Sequence, residues 1–155
     1  MSISIRPAKQ DDLETISSIY YRSITKLCSS AYPAEVIKRW RLSKTAESRT
    51  GQVTNKSLWV AQLDDRLVGF LHALEGEIVA LFVDPVAAGK GVGKALIALG
   101  LEESARPGLP IKVESTLNAA GFYQYYGFVE QRRSVYSHGN NEFDIEVVEM
   151  LKAPD

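Results

Sequence analysis

The chain has 155 residues, room for one domain with a single continuous core. Its 45% hydrophobic and 24% charged content excludes a disordered or fibrous polymer, and no apolar run reaches the roughly 20 residues of a membrane span. A net charge of -1 excludes any global attraction to nucleic acid or anionic lipid.

One cysteine, Cys28, leaves no partner for an internal disulfide, and the two histidines lie too far from it for zinc-ligand spacing. The amino terminus carries neither a basic leader nor a hydrophobic signal core, so the expected location is cytoplasmic, with no nucleic-acid or membrane partner.

In chain order, Ile3 and Ile5 alternate with polar residues and predict a short strand ending at Pro7. Leu13, Ile16, Ile19, Tyr20, Ile24 and Leu27 recur at helical spacing and predict an amphipathic helix over roughly 10–28, with Asp11, Asp12 and Glu14 suiting the dipole of its first turn. Pro33 starts a shorter helix carrying Val36, Ile37 and Trp40. Lys38, Arg39, Arg41 and Lys44 make that region basic, either as a solvated face or as the edge of an anionic ligand or substrate. The polar stretch from Lys44 to Lys56 is expected to be a mobile loop.

Sheet follows. Leu58–Leu63 and Leu67–Leu74 are strands joined by a turn at Asp64-Asp65-Arg66. Gly76 precedes a central strand, Ile78 to Val83, which is apolar on both faces. Asp84-Pro85 ends it, a glycine-rich loop intervenes, and Val92, Leu96 and Leu99 mark one face of a helix ending near Arg106-Pro107-Gly108. Then come a strand at Ile111–Glu114, a helix from Asn118 to Tyr126, a strand from Phe128 to Tyr136, a turn at His138–Asn141 and a last strand from Phe143 to Leu151. The order is β-α-α-β-β-β-α-β-α-β-β, a mixed α/β (α+β) chain expected to form a single domain over 1–155.

Gly89, Gly91 and Gly93 alternate between a buried strand and a helix start. Glycine permits positive φ and lets a ligand approach the backbone, while the free amides and dipole of the helix start suit a phosphate or pyrophosphate. Lys90 and Lys94 add positive charge. A P-loop is excluded because Ala95 stands where the magnesium-binding hydroxyl is required, and a dinucleotide fingerprint because the loop follows several strands with the wrong spacing. A plain structural turn is the remaining alternative.

Leu81-Phe82-Val83-Asp84-Pro85 followed by Gly89-Lys90-Gly91-Val92-Gly93-Lys94-Ala95-Leu96 resembles the acetyl-CoA-binding motif of the GNAT acetyltransferase superfamily. Downstream, Asn118-Ala119-Ala120-Gly121-Phe122-Tyr123-Gln124-Tyr125-Tyr126-Gly127-Phe128 resembles that family's second motif. The resemblance covers essentially the whole chain. It implies a GNAT-like fold, a central, mostly antiparallel twisted sheet of about seven strands flanked by about four helices. The implied activity is acetyl transfer from acetyl-CoA to a primary amine of a small molecule or peptide by direct attack in a ternary complex, without a metal. A non-catalytic acyl-CoA-binding sensor is the alternative. The implied cofactor contacts are Leu81, Phe82, Val83, Ala88, Gly89, Lys90, Gly91, Val92, Gly93, Lys94, Asn118, Tyr123 and Tyr126. Ala88 stands where the family carries Gln or Arg, which removes one side-chain contact to the pyrophosphate.

An amine with a pKa near 10.4 has its reactive form uphill by roughly 4–5 kcal/mol at pH 7, so a base is needed. By resemblance Glu77 is the candidate base, with His72 and Glu75 in reserve, and its alternative role is a solvated strand end. Tyr123 is the candidate acid for the departing thiolate, or a packing residue, and Tyr126 is its substitute. Asn118 either approaches the pantetheine arm or caps a helix. Acylation of Cys28 is the less favoured route, because free cysteines are commonly buried. Acceptor specificity is expected from the first two helices, their connection and the 44–56 stretch, with Tyr20, Tyr21, Tyr32 and Trp40 on that side. Exposed strand edges make a homodimer one possible assembly.

Overall fold

In a computed structural model, which describes residues 2–138 and 143–155, one seven-stranded sheet runs through the molecule in the order β1-β2-β3-β4-β5-β7-β6. The strands are β1 (Ile3–Pro7), β2 (Leu58–Leu63), β3 (Arg66–Leu74), β4 (Glu77–Val83), β5 (Ile111–Thr116), β6 (Phe128–His138) and β7 (Phe143–Lys152). The helices are α1 (Leu13–Leu27), α2 (Ala34–Trp40), α3 (Thr50–Thr54), α4 (Val92–Ser104) and α5 (Ala120–Tyr125). Every neighbouring pair is antiparallel except β4 and β5. The fold expected from the sequence is the one observed.

Local chemistry explains the hairpins. Asp64 and Asp65 both take positive φ, 50° and 71°, the pair of left-handed residues that a tight β2–β3 turn needs, and Asp is among the residues that tolerate it. At the start of α1 the Asp12 carboxylate accepts from the Lys9 amide at 2.8 Å and from the Arg6 guanidinium at 2.8 and 3.0 Å. Arg6 first, and the Lys9 amide after it, hold that carboxyl below its usual range despite partial burial.

The sheet is covered on both faces. Ile16, Ile19 and Ile24 of α1 and Trp40 of α2 pack on Leu58, Val60 and Phe70. On the other face Leu96 and Ile97 of α4 pack with Leu71, Ile78, Val113 and Met150. Burial of this kind contributes about 25 cal/mol per Å² of apolar surface and is the main driving term.

Two expectations are corrected. The stretch from Lys44 to Lys56 contains a 3-10 turn at Glu47–Arg49 and the short helix α3, so it is not a structureless loop. Its anchor is Arg49, only 3% exposed, whose guanidinium lies 5.0 Å from the Tyr20 ring centroid and 4.9 Å from that of Phe70. The helical segment over roughly 10–28 opens as a 3-10 turn at Gln10–Asp12 before α1 proper. Of the turn expected at His138–Asn141, residues 139–141 lie outside the described residues.

Candidate active site

β4 and β5 pair only at Glu77–Lys112 and Ile78–Val113, and then part company. From Val79 to Val83, β4 therefore has one edge whose backbone groups face a cleft and no neighbouring strand. β4 is also bulged. Its register with β3 passes from His72–Ala80 to Ala73–Ile78, which leaves Val79 as the extra residue. The bulge and the parting of the strands open the sheet at one point in its middle.

A cavity of about 400 Å³ occupies the cleft between β4 and β5, walled by Leu81, Phe82 and Val83 on one side and Val113, Ser115 and Asn118 on the other. A second, of about 280 Å³, lies at the start of α4 and is lined by Ala88, Gly89, Gly91, Val92 and Lys94. Leu27, Val83, Gly93 and Phe122 line both, so the two are one continuous channel. Gly91 takes φ 86° at the N-cap of α4, which turns the chain so that the first helical amides face this channel. At Gly93 a Cβ would lie 3.3 Å from the Phe122 ring, so a side chain there would narrow the channel.

A third cavity, of about 260 Å³, lies on the α1–α2 side of the sheet. Tyr20, Trp40, Arg49, His72 and Glu77 line it. It shares Val79, Ala80, Phe82, Glu114 and Thr116 with the β4–β5 cleft. The two cavities thus meet at the bulge.

Tyr123 lines the cleft from α5, packed edge-on against Phe122 and Phe128, and its hydroxyl bonds to no described residue. Burial pushes its phenol well above the ordinary value, so it stays protonated. Glu77 lines the third cavity at the foot of β4. Burial raises its carboxyl, Lys112 opposes the shift and Glu114 adds to it. His72, half-buried across from Ala80, is pushed down to about 4 by burial and by Arg49 and Lys44, so it is neutral at pH 7 and a weak base. Glu75 is exposed in the β3–β4 turn and lines none of these cavities.

Leu81, Phe82, Val83, Ala88, Gly89, Gly91, Val92, Gly93, Lys94, Asn118 and Tyr123 all line the channel. Lys90 is exposed beside it, and Tyr126 lies behind Phe122, with ring centroids 5.1 Å apart, outside the lining. Cys28 sits in the cleft with its thiol pushed up to about 11 by burial, against a hydrogen bond to Asn118. Of the four aromatic residues placed on the acceptor side, Tyr20 and Trp40 line the third cavity. Tyr21 stacks under Arg41 at the surface, and the Tyr32 hydroxyl is taken up by backbone bonds.

Sequence reasoning missed Glu114, Thr116 and Arg49. The alternation of β5, with Ile111, Val113 and Ser115 buried, does place Glu114 and Thr116 on the opposite face. Only the β4–β5 pairing reveals what that face looks onto.

The sequence model of the acetyltransferase (GNAT) domain matches residues 28–150. The chain belongs to the GNAT acetyltransferase family. It is 34% identical over 139 residues to the peptidyl-lysine N-acetyltransferase YjaB of Salmonella typhimurium, an alignment covering 86% of this chain and 88% of that protein. It is 31% identical over 135 residues to the N-acetyltransferase YafP of Escherichia coli, covering 85% and 86%. A solved GCN5-related N-acetyltransferase from Rhodopseudomonas palustris superposes with a TM-score of 0.87 at 27% identity, covering 99% of this chain and 96% of that one.

This acetyltransferase uses acetyl-CoA as its acyl donor. The channel fits that molecule: a free strand edge suits the amides of a pantetheine arm, and the amides at the start of α4 suit a pyrophosphate. No helix among the described residues is long and apolar enough to cross a membrane.

Proposed function

We propose that the acetyltransferase moves the acetyl group directly onto a primary amine that enters through the third cavity, with Glu77 as base and Tyr123 as hydrogen-bond donor to the departing sulfur. The observation that carries this reading is the meeting of two cavities at the bulge of β4, where they share Val79, Ala80, Phe82, Glu114 and Thr116. Acetyl-CoA brings an activated thioester to that point. The chain's own residues do the rest. The edge of β4 from Leu81 to Val83 and Asn118 orient the pantetheine arm. The loop from Ala88 to Lys94 holds the pyrophosphate through backbone amides and its two lysines. Glu77 removes the proton that the amine must lose. Phe122 and Tyr123 keep water from the sulfur side.

Direct transfer is favoured over acylation of Cys28, because a thiol raised to about 11 has almost no thiolate at neutral pH. The Salmonella relative is named for a peptidyl-lysine acceptor, and a lysine side chain is a primary amine of the required kind. We place residues 1–155 in one catalytic unit, and in the cytoplasm, where a free thiol and an acetyl-CoA enzyme both belong. The edge strand β6 carries exposed Val129 and Val135, which supports a homodimer, and sedimentation velocity tests it.

Release of CoA thiol is the direct assay, with acetyl-CoA and a broad panel of primary amines. Amine-dependent release that falls in Glu77→Gln and Tyr123→Phe is expected. Acetyl-CoA binding without release for any amine would favour the sensor instead.

A further inference from the structure

The third cavity holds two cations, Arg49 and Lys44, that no described residue neutralises. Arg49 is 3% exposed, yet among the described residues no carboxylate oxygen lies within 4.0 Å of its guanidinium. Its Nε is buried without a hydrogen-bond partner, and so is the side-chain oxygen of Gln52, which lines the same cavity. Lys44 lines the same cavity, half-buried and likewise without an ion pair among the described residues. The rings of Tyr20 and Phe70 stabilise the Arg49 charge but satisfy none of its N–H groups. A buried guanidinium with free donors costs stability unless something accepts from it, and its planar fork matches a carboxylate.

The carboxylates of this cavity, Glu77 and Glu114, lie elsewhere in it. On this face the β3–β4 ladder runs through the rows Phe70–Phe82, His72–Ala80 and Leu74–Glu77. Arg49 stands over the Phe70 row and Glu77 occupies the last. Four residues of strand separate those rows, about 13 Å at 3.3 Å per residue. The bulge at Val79, where the two cavities meet, falls between the middle and last rows.

We propose that the acceptor is a primary amine carrying a carboxylate at the far end of a chain of several atoms, an ω-amino carboxylate, with the carboxylate bound by Arg49 and Lys44. The amine is then presented toward Glu77 and the bulge. At about 260 Å³ the cavity lies just below the usual range for small-ligand pockets, about 300–1,000 Å³, which suits an acceptor of this size. The inference rests on the reading that this cavity receives the acceptor.

The test uses straight-chain ω-amino carboxylates from glycine to ε-aminocaproate, each beside its own amide, with hexylamine as the reference that lacks a carboxylate. The longer acids are expected to exceed their amides at least about tenfold in kcat/KM. Arg49→Met, which keeps an unbranched apolar stem between the two rings, is expected to abolish that preference while leaving amide turnover in place. Lys44→Met, at a less buried position, should reduce the preference in the same direction and guards against a folding defect in the first variant. Amides used as well as acids, or an Arg49→Met loss shared equally by acids and amides, would overturn the proposal.

Calorimetric titration of the CoA-saturated protein with ε-aminocaproate and its amide separates this inference from the catalytic reading. Arg49-dependent binding of the acid without turnover upholds the anion site and strikes the assigned chemistry. Turnover of amides with no Arg49-dependent binding does the reverse. Absence of both binding and turnover for every acid would overturn the proposal.

Discussion

Arg22 on α1 donates to the Asp84 carboxylate at 2.6 Å, and Asp84 has no solvent exposure. The same carboxylate accepts from the Val86 amide at 3.2 Å, which ties the exit of β4 to α1 just before the glycine loop. Burial alone would raise this carboxyl, but the Arg22 bond first, and the Val86 amide after it, hold it below its ordinary 3.8. Its folded value is depressed, so its contribution is present above the unfolded value and lost as pH falls through the folded one. Arg22→Met leaves a buried carboxylate with only its backbone partner and should cost about 1–3 kcal/mol, since the exposed side of the pair lets water compensate in part. Urea unfolding at pH 7 measures it. The difference between wild type and variant should shrink as pH drops below the ordinary carboxylate range.

Gly93 lines both halves of the channel proposed to hold acetyl-CoA. A methyl at this position would press on the Phe122 ring at 3.3 Å, and anything larger would enter the channel. Gly93→Ala adds helix propensity in the first turn of α4 and should change stability by no more than about 1 kcal/mol. Gly93→Leu should raise the acetyl-CoA KM at least about tenfold with the fold intact. An unchanged KM in the leucine variant would remove this channel as the donor site.

The legible parts of the sequence were those governed by neighbours in the chain. The apolar runs of β2 and β3, the Asp64-Asp65 turn and the glycine loop depend on residues a few positions apart, and they fall where their patterns placed them. Arg49 was hidden because its burial depends on Tyr20 from α1 and Phe70 from β3, neither of which is near it in sequence. Glu114 was hidden for a related reason. It lies along β5 from Lys112, the partner of Glu77, and a parallel pairing across the α4 crossover has no local signature. The Tyr123 position was legible from the motif. That Tyr126 packs behind Phe122 was set by the short α5 ending at Tyr125.

In the proposed reaction Glu77 joins activity to pH. Its carboxyl is raised above 4.5, chiefly by burial, so the base form fills in with rising pH later than for a free glutamate. Glu77→Gln should lower kcat about 100-fold or more and move the rising limb of the pH–rate profile upward, toward the amine's own ionisation. Stability should respond with the opposite sign to activity. A raised folded value means that this group's contribution is complete below the unfolded pKa and is lost as pH rises through the folded one. The glutamine variant should therefore unfold at slightly higher urea than wild type at pH 8, with no advantage near pH 4.

Tyr123→Phe should split kinetic constants. The ring stays wedged between Phe122 and Phe128, so packing and the acetyl-CoA KM should hold within about twofold, while kcat falls about 10- to 100-fold. A KM change with unaltered kcat would assign Tyr123 to binding alone.

Tyr32 tests whether the opening of the sheet is held from outside the proposed cofactor channel. Its hydroxyl donates to the Glu146 carbonyl of β7 at 2.6 Å and accepts from the Leu117 amide at 2.9 Å, just where β5 ends and the chain turns toward Asn118. Burial pushes the phenol up to about 12, so the bridge persists through the physiological range. Tyr32→Phe leaves both backbone groups short of a partner and should cost about 1–3 kcal/mol. The β5–β7 ladder continues to Thr116–Val147 without it, so the sheet itself should survive. What loosens is the turn at Leu117–Ala119, and with it the Asn118 wall of the cleft. The acetyl-CoA KM should rise about two- to fivefold, and amide exchange at Leu117 should quicken more than exchange along β5. Equal protection at Leu117 in both proteins would mean that the cleft wall is held by the sheet alone.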